Sequence, residues 1–122
     1  MTSAAPAAAR VLVADSEPFA RRFVAALMRQ QGYEVFEVAD ADEARRAAAD
    51  KAPRLVIAEV PMFEALKADP ATRKIAVLVL SARAREEDVV RGLEQGAEDY
   101  MTRPFHAQEL VQRAKKILAR GW

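Results

Sequence analysis

Short apolar runs recur along the chain at the spacing of strands separated by helices. Residues 54–59 are apolar except at their two ends, and residues 75–80 are apolar throughout, as is typical of strands buried on both faces of a parallel sheet. Residues 11–14 form a third run of this kind, whereas 34–38 alternate as a half-exposed outer strand does. With a short strand near 99–101, the pattern predicts five strands.

The segment after the first run predicts an amphipathic helix. Its apolar positions recur at intervals that place them on one face, which we expect to lie in the core. Ser16 is the predicted N-cap, Pro18 lies near the first helical position, and Gly32 ends the helix. The apolar stripe consists of Phe19, Phe23, Leu27 and Met28.

The next two segments predict one long and one short helix. Asp40 and Glu43 resemble a capping box for an alanine-rich helix that extends to about Lys51. Pro53 stops this helix. After the third strand, only a short helical piece over 63–67 is predicted, ahead of a turn.

Two more helices are predicted in the last third of the chain. Acidic residues at 86–88 occupy the first turn of a fourth helix, and Gly96 ends it. We expect its apolar face to be formed by Val89, Val90 and Leu93. The last helix has an inward face formed by Leu110, Val111, Ala114, Ile117 and Leu118.

Strands and helices therefore alternate about five times, which predicts a doubly wound α/β fold with a parallel sheet and helices on both faces. In open sheets of this kind, ligand sites lie at the carboxyl ends of the strands. Glu59 ends the central apolar run and is placed at that edge. We therefore expect the chemistry of the protein to involve Glu59.

Composition narrows the class of protein. The chain has 122 residues, 52% of them hydrophobic and 30% charged, as expected of one soluble globular domain. We interpret residues 1–9 as a flexible N-terminal tail and residues 10–122 as the domain. No run of about 20 apolar residues suggests a membrane span, and no secretory signal is evident, so a cytoplasmic location is expected.

Charge and cysteine content exclude several kinds of site. A net charge of +1 argues against direct nucleic-acid binding, which needs concentrated Lys and Arg. The absence of cysteine excludes disulfides and thiolate metal sites, and the single His106 leaves little for zinc. A flavin or nucleotide binder of similar topology stays open as a weaker alternative, although residues 15–18 are acidic and offer no phosphate loop.

Five blocks of the sequence resemble the receiver domain of bacterial two-component response regulators. They are residues 11–18, the strand ending at Glu59, and residues 80–82, 96–100 and 101–105. The resemblance implies a flavodoxin-like five-stranded parallel sheet in the order 2-1-3-4-5. It also implies a module that accepts a phosphoryl group from a histidine kinase on an aspartate, and we expect no enzyme activity beyond that role.

The resemblance assigns site residues and shows where this chain departs from the family. Asp15 matches the first of two acids that help to hold Mg²⁺, but Ser16 replaces the second, and a hydroxyl is a poor substitute for a carboxylate. Metal binding through Asp15, Glu59 and the Pro61 carbonyl is therefore expected to be weak or absent. Ser16 could equally be a simple helix cap.

Glu59 stands where the family has its nucleophilic aspartate. The extra methylene moves the carboxylate by roughly one bond length, and a misplacement of about 1 Å can cost about 10²-fold in rate. Glu59 could instead direct its charge towards Ser81 and Arg103, as a substitute for a phosphorylated aspartate. The simpler alternative is that Glu59 pairs with Arg103 and only provides the partner that a buried charge needs.

The remaining site positions are partly retained. Ser81 matches the residue that contacts a phosphoryl oxygen, whereas Arg103 replaces the family lysine. Arginine has a planar fork suited to a carboxylate, so this exchange is not conservative. Pro104 is a candidate for a preceding cis bond, and Tyr100 matches the family's switch aromatic.

The sequence therefore predicts an atypical receiver, or pseudo-receiver, that works by protein contact without phosphotransfer. The expected partner is a kinase, an output domain or another regulator, bound through the face of the fourth helix, fifth strand and last helix. This face also allows a homodimer. A regulator that is still phosphorylated stays open as the alternative.

Overall fold

The structure is a computed structural model that describes residues 8–83 and 85–120, so most of the predicted tail at 1–9 lies outside the described residues. Its sheet has five parallel strands in the order β2-β1-β3-β4-β5, which confirms the expected flavodoxin-like fold. The strands are β1 Arg10–Ala14, β2 Glu34–Val38, β3 Leu55–Ala58, β4 Ala76–Ser81 and β5 Asp99–Thr102. The helices are α1 Pro18–Gln30, α2 Ala41–Lys51, α3 Val60–Ala68, α4 Glu86–Glu94 and α5 Ala107–Leu118.

The sheet is covered on both faces because its central strands are apolar on both sides. All residues of β3 and β4 are buried. On one face, Val13 and Ile57 pack with buried side chains of α1 and α5, and on the other, Leu12 and Val56 pack with those of α2 and α3. The two cores hold the strands in register and fix the position of their carboxyl ends.

The start of α1 differs from the prediction. The N-cap is Glu17, whose carboxylate accepts a hydrogen bond from the Ala20 N–H at 2.7 Å. Ser16 lies one residue too early to cap the helix, so its predicted capping role was wrong. The end of the helix was predicted correctly, because Gly32 adopts a φ of 91° that favours glycine.

The start of α2 follows the prediction closely. Asp40 accepts a hydrogen bond from the Glu43 N–H at 2.8 Å. The Glu43 carboxylate reaches back to the Ala39 N–H at 3.3 Å, one residue before the position of an ideal capping box. The helix ends at Lys51, ahead of Pro53 as expected.

The third helix is longer than predicted. It begins at Val60, directly after Glu59, and Pro61 lies in its first turn, where proline is favourable. Met62, Phe63 and Leu66 are buried at helical spacing. The segment after β3 is therefore a full helix of 9 residues, and the expectation of a shortened helical piece was wrong.

Several apolar side chains expected in the core lie at the surface instead. On α1 the buried residues are Val24, Ala25 and Met28, whereas Phe19 and Phe23 are 82% and 51% exposed. On α4, Val90 and Leu93 are exposed. Both helices are more apolar than the core requires, which leaves two apolar surfaces open to solvent. Within the described ranges, each helix is too short or too polar to cross a membrane.

Candidate functional site

Four of the predicted site residues meet at the carboxyl edge of the sheet. Asp15 follows β1, Glu59 follows β3, Ser81 ends β4, and Arg103 follows β5. Because these four strands are neighbours in a parallel sheet, their carboxyl ends converge at one edge. The fold therefore brings together residues that lie far apart in the sequence.

Asp15 is the buried acid of the site. It is only 4% exposed, and its Oδ1 accepts a hydrogen bond from the Glu17 N–H at 2.9 Å. Its Oδ2 accepts a charge-assisted hydrogen bond from Nη2 of Arg103. Both carboxylate oxygens of Asp15 thus have a partner within the protein.

Arg103 is held in place by its backbone as well as by this ion pair. Its N–H donates to the Ser81 carbonyl at 2.9 Å. The peptide bond to Pro104, whose isomer the sequence left open, is cis. The expected pairing of Arg103 with Glu59 was wrong. Asp15 is buried whereas Glu59 is half-buried, so an unpaired charge would be more costly at Asp15.

Glu59 has a different partner. Its Oε1 accepts a hydrogen bond from the Ser16 N–H at 3.0 Å, and its own N–H donates to the Ala14 carbonyl at 3.3 Å. Ser16 therefore contributes to the site through its backbone N–H, and the residue itself is exposed to solvent. The two loops that follow β1 and β3 are linked by this contact.

Ser81 is connected to Tyr100 through a single residue. The Oγ of Ser81 is buried and accepts a hydrogen bond from the Arg83 N–H at 3.0 Å. The Tyr100 hydroxyl donates to the Arg83 carbonyl at 3.3 Å, with the tyrosine only 9% exposed. Tyr100, the candidate for the family's switch aromatic, thus points inward and is hydrogen-bonded to the loop that follows Ser81.

Sequence reasoning missed Arg21. Its Nη1 donates to the backbone carbonyl of Asp15 at 3.0 Å, and its Nε lies 3.4 Å from a carboxylate oxygen of Glu37 on β2. This arginine ties the loop after β1 to the outer strand. Nothing in the local pattern distinguishes it from other surface arginines, because the contact depends on how α1 lies across the sheet.

The aromatic surface beside the site was also missed. The rings of Phe23 and Phe105 have centroids 6.3 Å apart. Together with Ala20, Val24, Arg103 and Pro104 they line an apolar hollow of about 240 Å³. Exposed apolar patches of this kind commonly mark contact surfaces.

The face of α4, β5 and α5 has a defined charge arrangement. Arg113 of α5 bonds Asp99 at 2.7 Å and Glu109 at 3.0 Å. The hydrogen bond to Asp99, followed by that to Glu109, raises the pKa of Arg113. Exposed Val90 and Leu93 lie on α4, so the predicted partner face presents both apolar and charged groups.

Comparison with known proteins agrees with the fold. The Response regulator receiver domain family matches residues 11–115, and the chain belongs to this family. The family assignment favours a receiver over the flavin or nucleotide binder that topology alone left open. Receiver domains of this family are, in general, signalling modules of two-component systems.

Individual relatives give the same result. The chain is 37% identical over 121 positions to the phosphate regulon transcriptional regulatory protein PhoB of Escherichia coli, covering 93% of this chain and 53% of PhoB. It is 33% identical over 118 positions to the alkaline phosphatase synthesis transcriptional regulatory protein PhoP of Bacillus subtilis, covering 92% of this chain and 49% of PhoP. The chain therefore spans about half the length of the curated relatives it matches.

Solved structures are similar over nearly the whole domain. The receiver domain of NtrX from Brucella abortus superposes with a TM-score of 0.81 at 28% identity, covering 91% of this chain and 99% of that one. A response regulator from Desulfuromonas acetoxidans gives a TM-score of 0.80 at 28% identity, covering 90% of this chain and 96% of that one.

Proposed function

We propose that this protein is an atypical receiver that signals through protein contact, without phosphotransfer to residue 59. The observation that carries the proposal is the replacement of the family's nucleophilic aspartate by Glu59, whose Oε1 is hydrogen-bonded to the Ser16 N–H. A nucleophile must be free and correctly placed to attack. Glu59 is one methylene longer than the aspartate, and one of its oxygens already has a partner.

The ion pair between Arg103 and Asp15 supports the same proposal. In a phosphorylatable receiver the residue at position 103 contributes positive charge to the incoming phosphoryl group. Here the guanidinium is bound to a buried carboxylate, and its fork geometry favours that contact over a point-charge role. A phosphoryl group would have to compete with Asp15 for this cation.

The residues of the site do not fit Mg²⁺ well. Mg²⁺ requires nearly octahedral oxygen ligands and usually binds through one or two carboxylates with waters. Of the two carboxylates here, Asp15 is paired with Arg103, and Glu59 accepts a backbone hydrogen bond. No group of three acidic or histidine ligands occurs among residues 8–83 and 85–120. We therefore propose that Mg²⁺ binds weakly, if at all.

The proposed output is a protein contact on the face of α4, β5 and α5. Exposed Val90 and Leu93 provide apolar area, and Arg91 and Glu94 beside them provide charge. The partner would be a kinase, an output domain or another regulator, and a second copy of the chain would satisfy the same surface. No catalytic activity is part of this role.

The second candidate is a receiver that still accepts phosphoryl. It is favoured by the retained Asp15 and by Ser81, whose buried Oγ lies at the carboxyl edge next to Arg103. Relatives that the chain matches are transcriptional regulators by name. The two candidates differ in one measurable reaction, which is the transfer of a phosphoryl group to the protein.

Incubation with acetyl phosphate and Mg²⁺, followed by intact-protein mass spectrometry, separates the candidates. We expect no mass increase of one phosphoryl group for the natural chain. The matched control is the triple variant Ser16→Asp, Glu59→Asp, Arg103→Lys, which restores the family's residues and should gain the phosphoryl group. A stable adduct on Glu59 or Asp15 of the natural chain would establish the second candidate instead.

Mg²⁺ binding can be measured on the same pair of proteins. Isothermal titration should detect binding to the triple variant and little or none to the natural chain at equal concentrations, because the variant has three carboxylates and no guanidinium at the site. Equal affinity of the two proteins for Mg²⁺ would contradict the assignment of a poor metal site.

A further inference from the structure

Gly92 lies in the middle of α4 and is buried against the ring of Tyr100. A Cβ added at residue 92 would lie 2.7 Å from Cδ2 and 2.9 Å from Cε2 of that ring. Carbon atoms that are not bonded make optimal contact at about 3.5–4.0 Å, so no side chain fits at this position while the ring stays in place. Space is therefore the reason for glycine here, since Gly92 is not among the glycines with positive φ.

Glycine in a helix interior is otherwise unfavourable, because it has the largest conformational entropy to lose. Helix α4 has only 9 residues, so this cost affects a short element. An alanine at residue 92 would stabilise the isolated helix. Glycine at residue 92 thus weakens the helix but allows the helix backbone to contact the tyrosine ring.

The ring of Tyr100 is also held at its other end. Its hydroxyl donates to the Arg83 carbonyl at 3.3 Å, and the Arg83 N–H donates to the Oγ of Ser81 at 3.0 Å. The aromatic ring therefore lies between the backbone of α4 and the loop that leaves the candidate site. One side chain therefore contacts both α4 and the loop after β4.

The space around the ring limits where it can move. A crevice between α3 and α4, bordered by Val60, Phe63 and Gln95, holds only about 20 Å³, which is room for about one water molecule. An open groove of about 360 Å³ also borders the ring, between α4 and α5. This groove is lined by Val89, Thr102, Pro104, Glu109 and Arg113. Of these two spaces, the groove has room for a ring displaced from Gly92 and the crevice does not.

We propose that Gly92 is a positioning residue that holds the ring of Tyr100 inward, against the backbone of α4 and within reach of the Arg83 carbonyl. A side chain at residue 92 would displace the ring, and the tyrosine hydroxyl would lose its hydrogen bond to the Arg83 carbonyl. This role goes beyond the proposed function, because it does not depend on whether residue 59 accepts phosphoryl.

Fluorine NMR tests the position of the ring directly. The protein is labelled with 3-fluorotyrosine in a Tyr33→Phe background, which leaves Tyr100 as the single labelled residue. In Gly92→Ala, we expect the resonance to move towards that of the urea-unfolded chain and its H₂O/D₂O solvent shift to increase. Glu94→Ala adds an alanine to the same helix at an exposed position, and it should leave the resonance unchanged.

Urea unfolding provides a second readout that a purely structural effect of alanine would not reproduce. Gly92→Ala should lower the unfolding midpoint when Tyr100 is present and raise it in a Tyr100→Ala background, where only the helix preference remains. This reversal of sign supports the proposal, as does a Gly92→Ala protein that fails to fold while the double variant folds.

Two results would overturn the proposal. One is an unchanged fluorine resonance in a folded Gly92→Ala protein, because the methyl group would then be accommodated without moving the ring. The other is a loss of stability of the same size with and without the tyrosine ring. That result would assign the effect of Gly92 to the helix backbone alone.

Discussion

Arg103 forms an ion pair with Asp15 across 88 residues of sequence and does not pair with Glu59. The contact links the ends of β1 and β5, which are separated in the sheet by β3 and β4. Arg103 is 27% exposed through its side chain, whereas the Asp15 side chain is 5% exposed. The burial of the two partners is therefore unequal, and removing them should have unequal effects.

Replacing Arg103 with Met should lower the free energy of unfolding by about 2 kcal/mol, because a buried carboxylate loses its charged hydrogen-bond donor. Asp15→Asn should lower the free energy of unfolding by less, since the partly exposed guanidinium can turn to water. Urea unfolding at neutral pH measures both values.

The control is Arg85→Met, which removes an ion pair between Arg85 and Glu87. The side chains of these two residues are 79% and 63% exposed. Exposed pairs of this kind contribute about 0–1 kcal/mol. If Arg103→Met and Arg85→Met changed the free energy of unfolding equally, the buried pair at the site would contribute no more to stability than an exposed pair.

Glu59→Gln should change the environment of Tyr100 or the oligomeric state, if the charge at residue 59 holds the domain in one conformation. Glutamine keeps a side-chain oxygen that can accept the Ser16 N–H, so the substitution removes charge while it retains this hydrogen bond. Fluorine NMR of labelled Tyr100 and sedimentation velocity measure the two outcomes.

Glu34→Gln is a matched control, because Glu34 is an exposed glutamate at the start of β2, at the edge of the sheet opposite to residue 59. It should leave both signals unchanged. Identical spectra and sedimentation for Glu59→Gln and the natural chain would show that residue 59 does not set the conformation.

Lys67 should make stability rise with pH on the alkaline side. Its amine donates to the carbonyls of Arg73 at 2.9 Å and Ile75 at 3.1 Å, and burial lowers its pKa from 10.5, partly opposed by Glu98. In the window below 10.5, the folded state binds fewer protons at Lys67 than the unfolded state does, so stability increases with pH there.

Lys67→Met should remove the part of the increase in stability with pH that is due to Lys67. The stability of the natural chain relative to the variant should therefore increase as pH rises through the folded pKa of Lys67 towards 10.5, and decrease as pH falls. Urea unfolding across that range measures the difference, with Lys74→Met, an exposed lysine in the segment between α3 and β4, as the control. Parallel curves for the natural chain and Lys67→Met would contradict the prediction.

Much of the fold was predictable because its signals are local. The apolar runs, the outer alternating strand and the cap at Asp40 each depend on neighbours within a few residues. The third helix was missed in part because its first turn contains Pro61, which the pattern presents as a break although proline suits that position.

The surfaces were harder to predict, because an apolar stripe shows that a helix has an apolar face without showing how much of it the core covers. Phe19 on α1 and Val90 on α4 fit the stripes, yet both are exposed. The width of each buried face depends on how close the helix lies to the sheet, and this distance is set by the side chains of both the helix and the sheet.

The alternation of strands and helices, the parallel sheet and the place of Glu59 at its carboxyl edge follow from the sequence, because short-range periodicity and parallel topology dictate these features. Asp15, Ser81 and Arg103 were assigned to the same site by the resemblance to receiver domains. The pairing of Arg103 with Asp15 and the need for glycine at residue 92 beside the ring of Tyr100 are visible only in the folded molecule. Both depend on relative burial and on distances between side chains of different elements, which no local pattern encodes.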